Sequence, residues 1–238
     1  MKIALVCIAK NEDFYLDEWL EYNHKLGFDH IFLYENNWRT DINKPFLTKI
    51  PFDGEVQQLP AYNHFINNNT EYDWAAFIDC DEYITLLKHK NIKDFINNYD
   101  NSNGIALNWL MFGSGNKIER TENSLLKQFI YRSKNVDNHI KVIMNLNKNF
   151  RMTLPHNANI HVYDTNNKEI RGPFNPNGPT DVAYINHYRN KTYEDYKLRC
   201  VRGRADCNLK AKLSEWDSEK NNNIDILDTI ARDFMYGN

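Results

Sequence analysis

The sequence predicts an α/β fold, a single domain built on a mostly parallel central sheet flanked by helices. Three observations point there. Apolar runs of strand length alternate with helix-length segments through the first half of the chain, the order that produces a parallel sheet with helices packed on it. The opening run, Ile3 to Ile8, is continuously apolar, as a strand covered on both faces must be. The 238 residues, with 42% hydrophobic, 26% charged and a net charge of -3, are enough for one sizeable core and match an ordinary globular composition.

Taken in order, Ile3 to Ile8 is the central strand. Asp13 is placed to cap a helix running to Leu26, with Phe14, Leu16, Trp19, Leu20, Tyr22 and Leu26 as its buried stripe and Gly27 ending its last turn. His30 to Tyr34 reads as the second strand. A polar stretch with Asn36, Asn37 and Pro45 follows. Glu55 to Leu59 reads as a third strand, Ala61 to Asn68 as a helix, and Trp74 to Ile78 as a fourth strand running into Asp79-Cys80-Asp81-Glu82. Beyond it come a helix at Asn91 to Tyr99 and strands at Ile105 to Met111 and Ile140 to Leu146. Loops and short hairpins are expected over 157–179, then a strand at Val182 to Ile185. Helical spacing returns over Thr192 to Leu213 and Ile224 to Met235, broken at Asn221 to Asn223.

The balanced charge gives no reason to expect nucleic acid as the main partner. No apolar stretch reaches membrane-spanning length, so membrane contact is expected to be peripheral at most. The first strand lacks the features of a signal peptide, and the expected location is the cytoplasm. Cys7, Cys80, Cys200 and Cys207 do not have the spacing of a closed zinc site and are expected as free thiols.

Asp79 and Asp81, at i and i+2 after an extended segment, project to the same side of the chain. In an open α/β sheet, ligands bind beyond the C-terminal ends of strands, where this pair is expected. Two carboxylates there suit Mg²⁺ or Mn²⁺, which complete their shells with water and substrate phosphate. Read alone, Asp-x-Asp is also a common solvated turn. His187, between a short strand and a long helix, is a second candidate ligand, although a lone histidine is more often structural. After the first strand, Ala9-Lys10-Asn11-Glu12 leads into a helix start, where backbone N–H groups attract anions and Asn11 and Glu12 are candidates for a base or ribose. Neither a GxGxxG nor a P-loop occurs.

Together Cys7-Ile8-Ala9-Lys10-Asn11-Glu12, Tyr15-Leu16-Asp17-Glu18-Trp19, Phe32-Leu33-Tyr34-Glu35-Asn36-Asn37 and Phe77-Ile78-Asp79-Cys80-Asp81-Glu82-Tyr83 resemble glycosyltransferase family 92 and related family 2-like enzymes. The likeness continues through Asn108-Trp109-Leu110-Met111-Phe112-Gly113, Lys141 and His187-Tyr188, to about residue 210. It implies a GT-A fold over 1–213, with a C-terminal helical extension over 214–238 packed on the same domain. It implies a nucleotide-diphosphate sugar donor, a glycan or glycolipid acceptor and a bound Mn²⁺ or Mg²⁺ held by Asp79, Asp81 and His187. Ala9, Lys10, Asn11, Glu12, Asn36 and Asn37 would then border the nucleotide, Lys141 would meet a phosphate, and Trp109 and Gly113 would shape the sugar or acceptor pocket. The work would be polysaccharide biosynthesis, at the inner face of a membrane if a glycolipid is the acceptor. The resemblance also implies inversion at the anomeric carbon, which needs a carboxylate as base. Glu82, Glu119 and Asp137 are candidates, and no motif separates them. The rival readings are a nucleotidyltransferase acting on a sugar phosphate, which would normally show a Gly-rich basic loop after its first strand, and a non-catalytic glycan-binding protein.

Overall fold

In the computed structural model, residues 1–203, 211–216 and 224–237 are described. Cys207 and the expected break at Asn221 to Asn223 lie outside them. The chain forms β1 (Ile3–Ala9), α1 (Asp13–Leu26), β2 (His30–Glu35), β3 (Leu47–Pro51), α2 (Gln58–Asn68), β4 (Trp74–Phe77), β5 (Glu82–Leu86), α3 (Ile92–Ile96) and β6 (Gly104–Phe112). The second half comprises α4 (Leu125–Gln128), β7 (Tyr131–Asn145), β8 (Met152–Leu154), β9 (Asn157–Ala158), β10 (Val162–Tyr163), β11 (Glu169–Ile170), β12 (Ala183–His187), α5 (Tyr193–Arg202), β13 (Ile226–Leu227) and α6 (Ile230–Tyr236).

Among the described residues the main sheet follows the path β11-β10-β6-β7-β4-β1-β2-β3, with β12 and β5 joined beside β6 and β13 beside β7. Strands β3, β2, β1 and β4 are mutually parallel. β7 then runs antiparallel to both β4 and β6, so the sheet is mixed, with β5, β7 and β11 opposed to the rest. Every residue of β1 is buried. Its side chains alternate between two cores. Ile3, Leu5 and Cys7 face the cluster that holds Leu16, Trp19 and Leu20 of α1. Ala4, Val6 and Ile8 face the one that holds Ala61, Tyr62 and Phe65 of α2. A sheet covered on both faces explains why this strand shows no polar alternation.

Several elements differ from the sequence reading, each for a physical reason. The third strand is Leu47–Pro51, parallel to β2, and not Glu55 to Leu59. Val56 is 41% exposed with φ of 53°, and α2 already begins at Gln58 because Pro60 falls in its first turn, where no N–H is needed. Asp13 is the first residue of α1 and not its cap, a position held by Glu12; its carboxylate accepts from the Trp38 indole N–H at 2.6 Å. β7 starts nine residues before Ile140 through a polar segment whose partners come from elsewhere in the chain. Over 224–235 a helix begins only at Ile230, because Ile226 and Leu227 pair with Arg132 and Tyr131. Buried Asp228 anchors this turn by accepting from Arg132 Nε at 2.7 Å and Tyr184 OH at 2.9 Å. The helix expected over Thr192 to Leu213 ends at Arg202 ahead of Gly203; Ala211 and Lys212 are not helical, and 204–210 lie outside the described residues. Near the C-terminus, α6 packs on α1, with Phe234 edge-on to Tyr22 and Tyr236 OH donating to Glu18 at 2.7 Å. No described helix is long and apolar enough to cross a membrane.

Candidate active site

A cavity of about 280 Å³ opens at the C-terminal ends of β1, β4 and β12. The pairing that builds it is β5 with β12. In that antiparallel register His187 lies opposite Glu82, so the end of β12 is brought to the turn that carries the aspartates. The backbone closes the junction, with Tyr188 N–H donating to Asp81 C=O at 2.9 Å. The His187 Nε2 atom stands 3.8 Å from one Asp81 oxygen, and Lys191 Nζ stands 3.7 Å from the other.

Asp79 is held differently. Its Oδ1 accepts from Gln58 Nε2 at 2.6 Å and its Oδ2 from Lys141 Nζ at 2.9 Å. Lys141 is fully buried beneath it, 3.7 Å from equally buried Glu82. It is not among the residues lining the cavity, so it supports Asp79 from below and does not open toward a phosphate. Burial alone would lower the Lys141 pKa, but Asp79 and Glu82 outweigh it and hold the ammonium charged. Burial drives Glu82 well up, above the usual carboxylate range, against the opposing pull of the Lys141 charge. Its carboxyl accepts the Asp79 N–H at 3.0 Å.

Sharing the cavity with the aspartates is a basic cluster that the sequence reading passed over. Arg189 and Lys191 follow β12, and Arg199 and Arg202 lie on α5, all lining the cavity. Arginines three apart fall on one helix face, and that spacing was the available signal. A capping box fixes the start of α5: the Thr192 hydroxyl accepts from Asp195 N–H while Asp195 accepts from Thr192 N–H. Asp195 also takes the Tyr15 hydroxyl at 3.0 Å and Arg120 Nε at 2.7 Å. Glu12 sits between Arg202, in direct contact, and Lys191 at 3.6 Å. Burial brings Arg202 down to about 10, still protonated at neutral pH.

The far wall is aromatic. Trp109 stacks on His139 at 4.9 Å, meets His156 edge-on at 5.1 Å and touches His187 at 4.2 Å. Burial first, and then the charges of Lys141, Arg189 and Lys191, press the His187 pKa well below its usual value. The ring is therefore neutral, the form that can ligate a metal.

Of the expected site residues, Ala9, Lys10, Glu12, Asp79, Asp81, Trp109 and His187 line this cavity together. Asn11, Asn36, Asn37 and Gly113 do not. Asn36 and Asn37 donate to the backbone C=O groups of Phe52 and Gly54, and Gly113 N–H donates to Tyr131 C=O. Of the three candidate bases, Glu82 is sealed in the interior, Glu119 is exposed outside the cavity, and Asp137 accepts from His139.

The sequence profile of glycosyltransferase family 92 matches residues 56–226. The chain belongs to glycosyltransferase family 92. A family 92 protein of Ricinus communis is 21% identical over 236 residues, 92% of this chain and 40% of that relative, so the chain spans well under half of its relative's length. Among solved structures, S. aureus TarS 1-349 in complex with UDP-GlcNAc is 16% identical with a TM-score of 0.43, covering 85% of this chain and 66% of that one. HddC from Yersinia pseudotuberculosis is 12% identical with a TM-score of 0.39, covering 60% of this chain and 77% of that one.

For this family 92 chain, no three His, Cys, Asp or Glu side chains among the described residues are already gathered as an ion's ligand set. Asp81 and His187 nevertheless suit a divalent cation. They converge on the cavity, the imidazole is neutral, and Asp81 meets its neighbours only at 3.7 and 3.8 Å. Mg²⁺ and Mn²⁺ sites commonly take one or two protein ligands plus water and phosphate. Asp79 accepts from Gln58 and Lys141 and, being a third exposed, keeps lone pairs with which to join them.

Proposed function

We propose that the chain transfers a hexose from a nucleotide-diphosphate sugar to a glycan or glycolipid acceptor, with inversion at the anomeric carbon and on a GT-A-type fold. One observation carries the reading: in a glycosyltransferase family member, an Asp-x-Asp turn and a histidine share a single cavity at the strand ends with four basic side chains. A diphosphate is the ligand that needs both groups. Its oxygens would be met by Lys191, Arg189, Arg199 and Arg202, and Asp81 and His187, with Asp79, would hold Mn²⁺ or Mg²⁺. When bound, the ion supplies positive charge to the departing diphosphate. Glu12, held between Lys191 and Arg202, borders the nucleotide with Ala9 and Lys10, while Trp109 offers the sugar an apolar face. Buried Lys141 keeps Asp79 turned to the cavity.

The test is a donor panel of UDP- and GDP-hexoses scored by nucleotide diphosphate release, with and without Mn²⁺, on wild type and Asp81→Ala. The expected result is Mn²⁺-dependent release that falls on the order of 10³-fold or more in the variant, with an unchanged circular dichroism spectrum. Full turnover by a folded Asp81→Ala protein would remove the metal from the mechanism, and no release from any donor by wild type would overturn the transferase reading.

A further inference from the structure

β6 and β7 stay in register from Gly104↔Met144 to Asn108↔Ile140, and their next partners are Leu110↔Val136. Two steps along β6 are thus matched by four along β7, and the surplus falls at Asp137, Asn138 and His139. Bulges of this kind re-aim a side chain and are common beside active sites. This one is clamped from both sides. Buried Asn108 donates to Asp137 C=O at 3.0 Å, while Asn175 N–H donates to Asn138 C=O at 2.7 Å.

Inside the bulge Asp137 Oδ1 accepts from the His139 backbone N–H at 2.8 Å and from its ring Nδ1 at 2.7 Å. That contact places the ring proton on Nδ1 and leaves the lone pair on Nε2. No hydrogen bond reaches Nε2 from the described residues. The ring lies against Trp109, which also touches His187, and both histidines line the cavity. A base for inverting transfer has to stand across the sugar from the leaving diphosphate, and His139 is one indole away from the diphosphate side.

Resting on the transferase reading above, we propose that His139, oriented by Asp137, is the general base of the reaction. The acceptor oxygen forms its bond to the anomeric carbon as the bond from that carbon to the diphosphate oxygen breaks, and the bonding pair leaves with the diphosphate. The acceptor's proton passes to His139 Nε2 and from the imidazolium to solvent. The other cavity groups are less suited. Glu12 is paired with cations and Asp195 with Arg120. His156, whose Nδ1 donates to Ile140 C=O at 2.9 Å, is brought by burial to about 4 and is too weak a base. On this proposal Asp137, one of the carboxylates considered as base, acts through the imidazole.

The experiment measures nucleotide diphosphate release from the UDP- and GDP-hexose panel, with water as acceptor, alongside calorimetric binding of UDP with Mn²⁺. His139→Gln should lower kcat by about 10²–10⁴-fold while leaving donor KM and UDP affinity unchanged. Imidazole added to His139→Ala should restore part of the lost rate, which a merely structural role would not allow. The kcat–pH profile should lose its acid limb in His139→Gln. The titratable neighbours of the ring are Asp137 on its own strand and His156 after β8, while Trp109 and Phe174 are neutral. An active wild type together with a His139→Gln variant at full kcat, or a failure of imidazole to raise the His139→Ala rate, overturns the assignment and leaves the transferase reading standing. A wild type that releases no nucleotide from any donor overturns both.

Discussion

Replacing Lys141 with Met removes a charge from the interior while keeping an unbranched apolar stem of similar volume. Lys141 is fully buried and pairs with Asp79 at 2.9 Å. Removing one partner of a buried pair typically costs about 3–5 kcal/mol, because the other charge is left in a poor solvent. Here the partner is not fully sealed. The Asp79 side chain is 33% exposed, so water recovers part of its solvation. We therefore expect a destabilisation of about 2–3 kcal/mol, below the fully buried range. Urea denaturation read by linear extrapolation measures it. Calorimetry with Mn²⁺ and UDP gives a second readout. With Lys141 gone, Asp79 loses the contact that orients its Oδ2, so Mn²⁺ should bind more weakly. A variant as stable as wild type would refute the claim that this pair is buried and stabilising, and unchanged or tighter Mn²⁺ binding would refute the claim that Lys141 orients Asp79.

Thr192→Ala removes the capping box of α5 from a fully buried position and should cost about 1–2 kcal/mol, seen as a lower urea midpoint, with weaker UDP binding as Arg199 and Arg202 lose their anchored helix. Acidification should destabilise the protein through His156, which burial lowers from 6.5 to about 4. Its neutral form is favoured in the folded state, so that stability is fully present above pH 6.5 and lost as the pH falls toward 4. Between pH 7 and 5 the loss from this group should be about 2 kcal/mol at roughly 1.4 kcal/mol per pH unit. His156→Gln should lose less than wild type over that interval, and equal losses in urea titrations at the two pH values would show that the ring is not held neutral.

The elements legible in the sequence are those whose burial is written into local composition. β1, β4 and α1 carry apolar runs or a periodic stripe, and each lies within a residue or two of its expected bounds. β3 and the first half of β7 were not legible, because a half-exposed edge strand and a polar strand owe their conformation to partners far along the chain. The site divides the same way. Asp79 and Asp81 are two residues apart and were legible as a pair at a strand end, though they sit in the turn between β4 and β5 and not in extended chain. His187, over a hundred residues later, is brought to Asp81 by the β5–β12 register, and Arg202 reaches Glu12 only through the placement of α5. Lys141 shows the limit most clearly. Its charge and its place in the chain were both readable, but whether its ammonium met a phosphate or a buried carboxylate depended on which face of β7 was turned inward. That choice is made by long-range strand pairing, which carries no local signature because its free energy comes from residues distant in sequence.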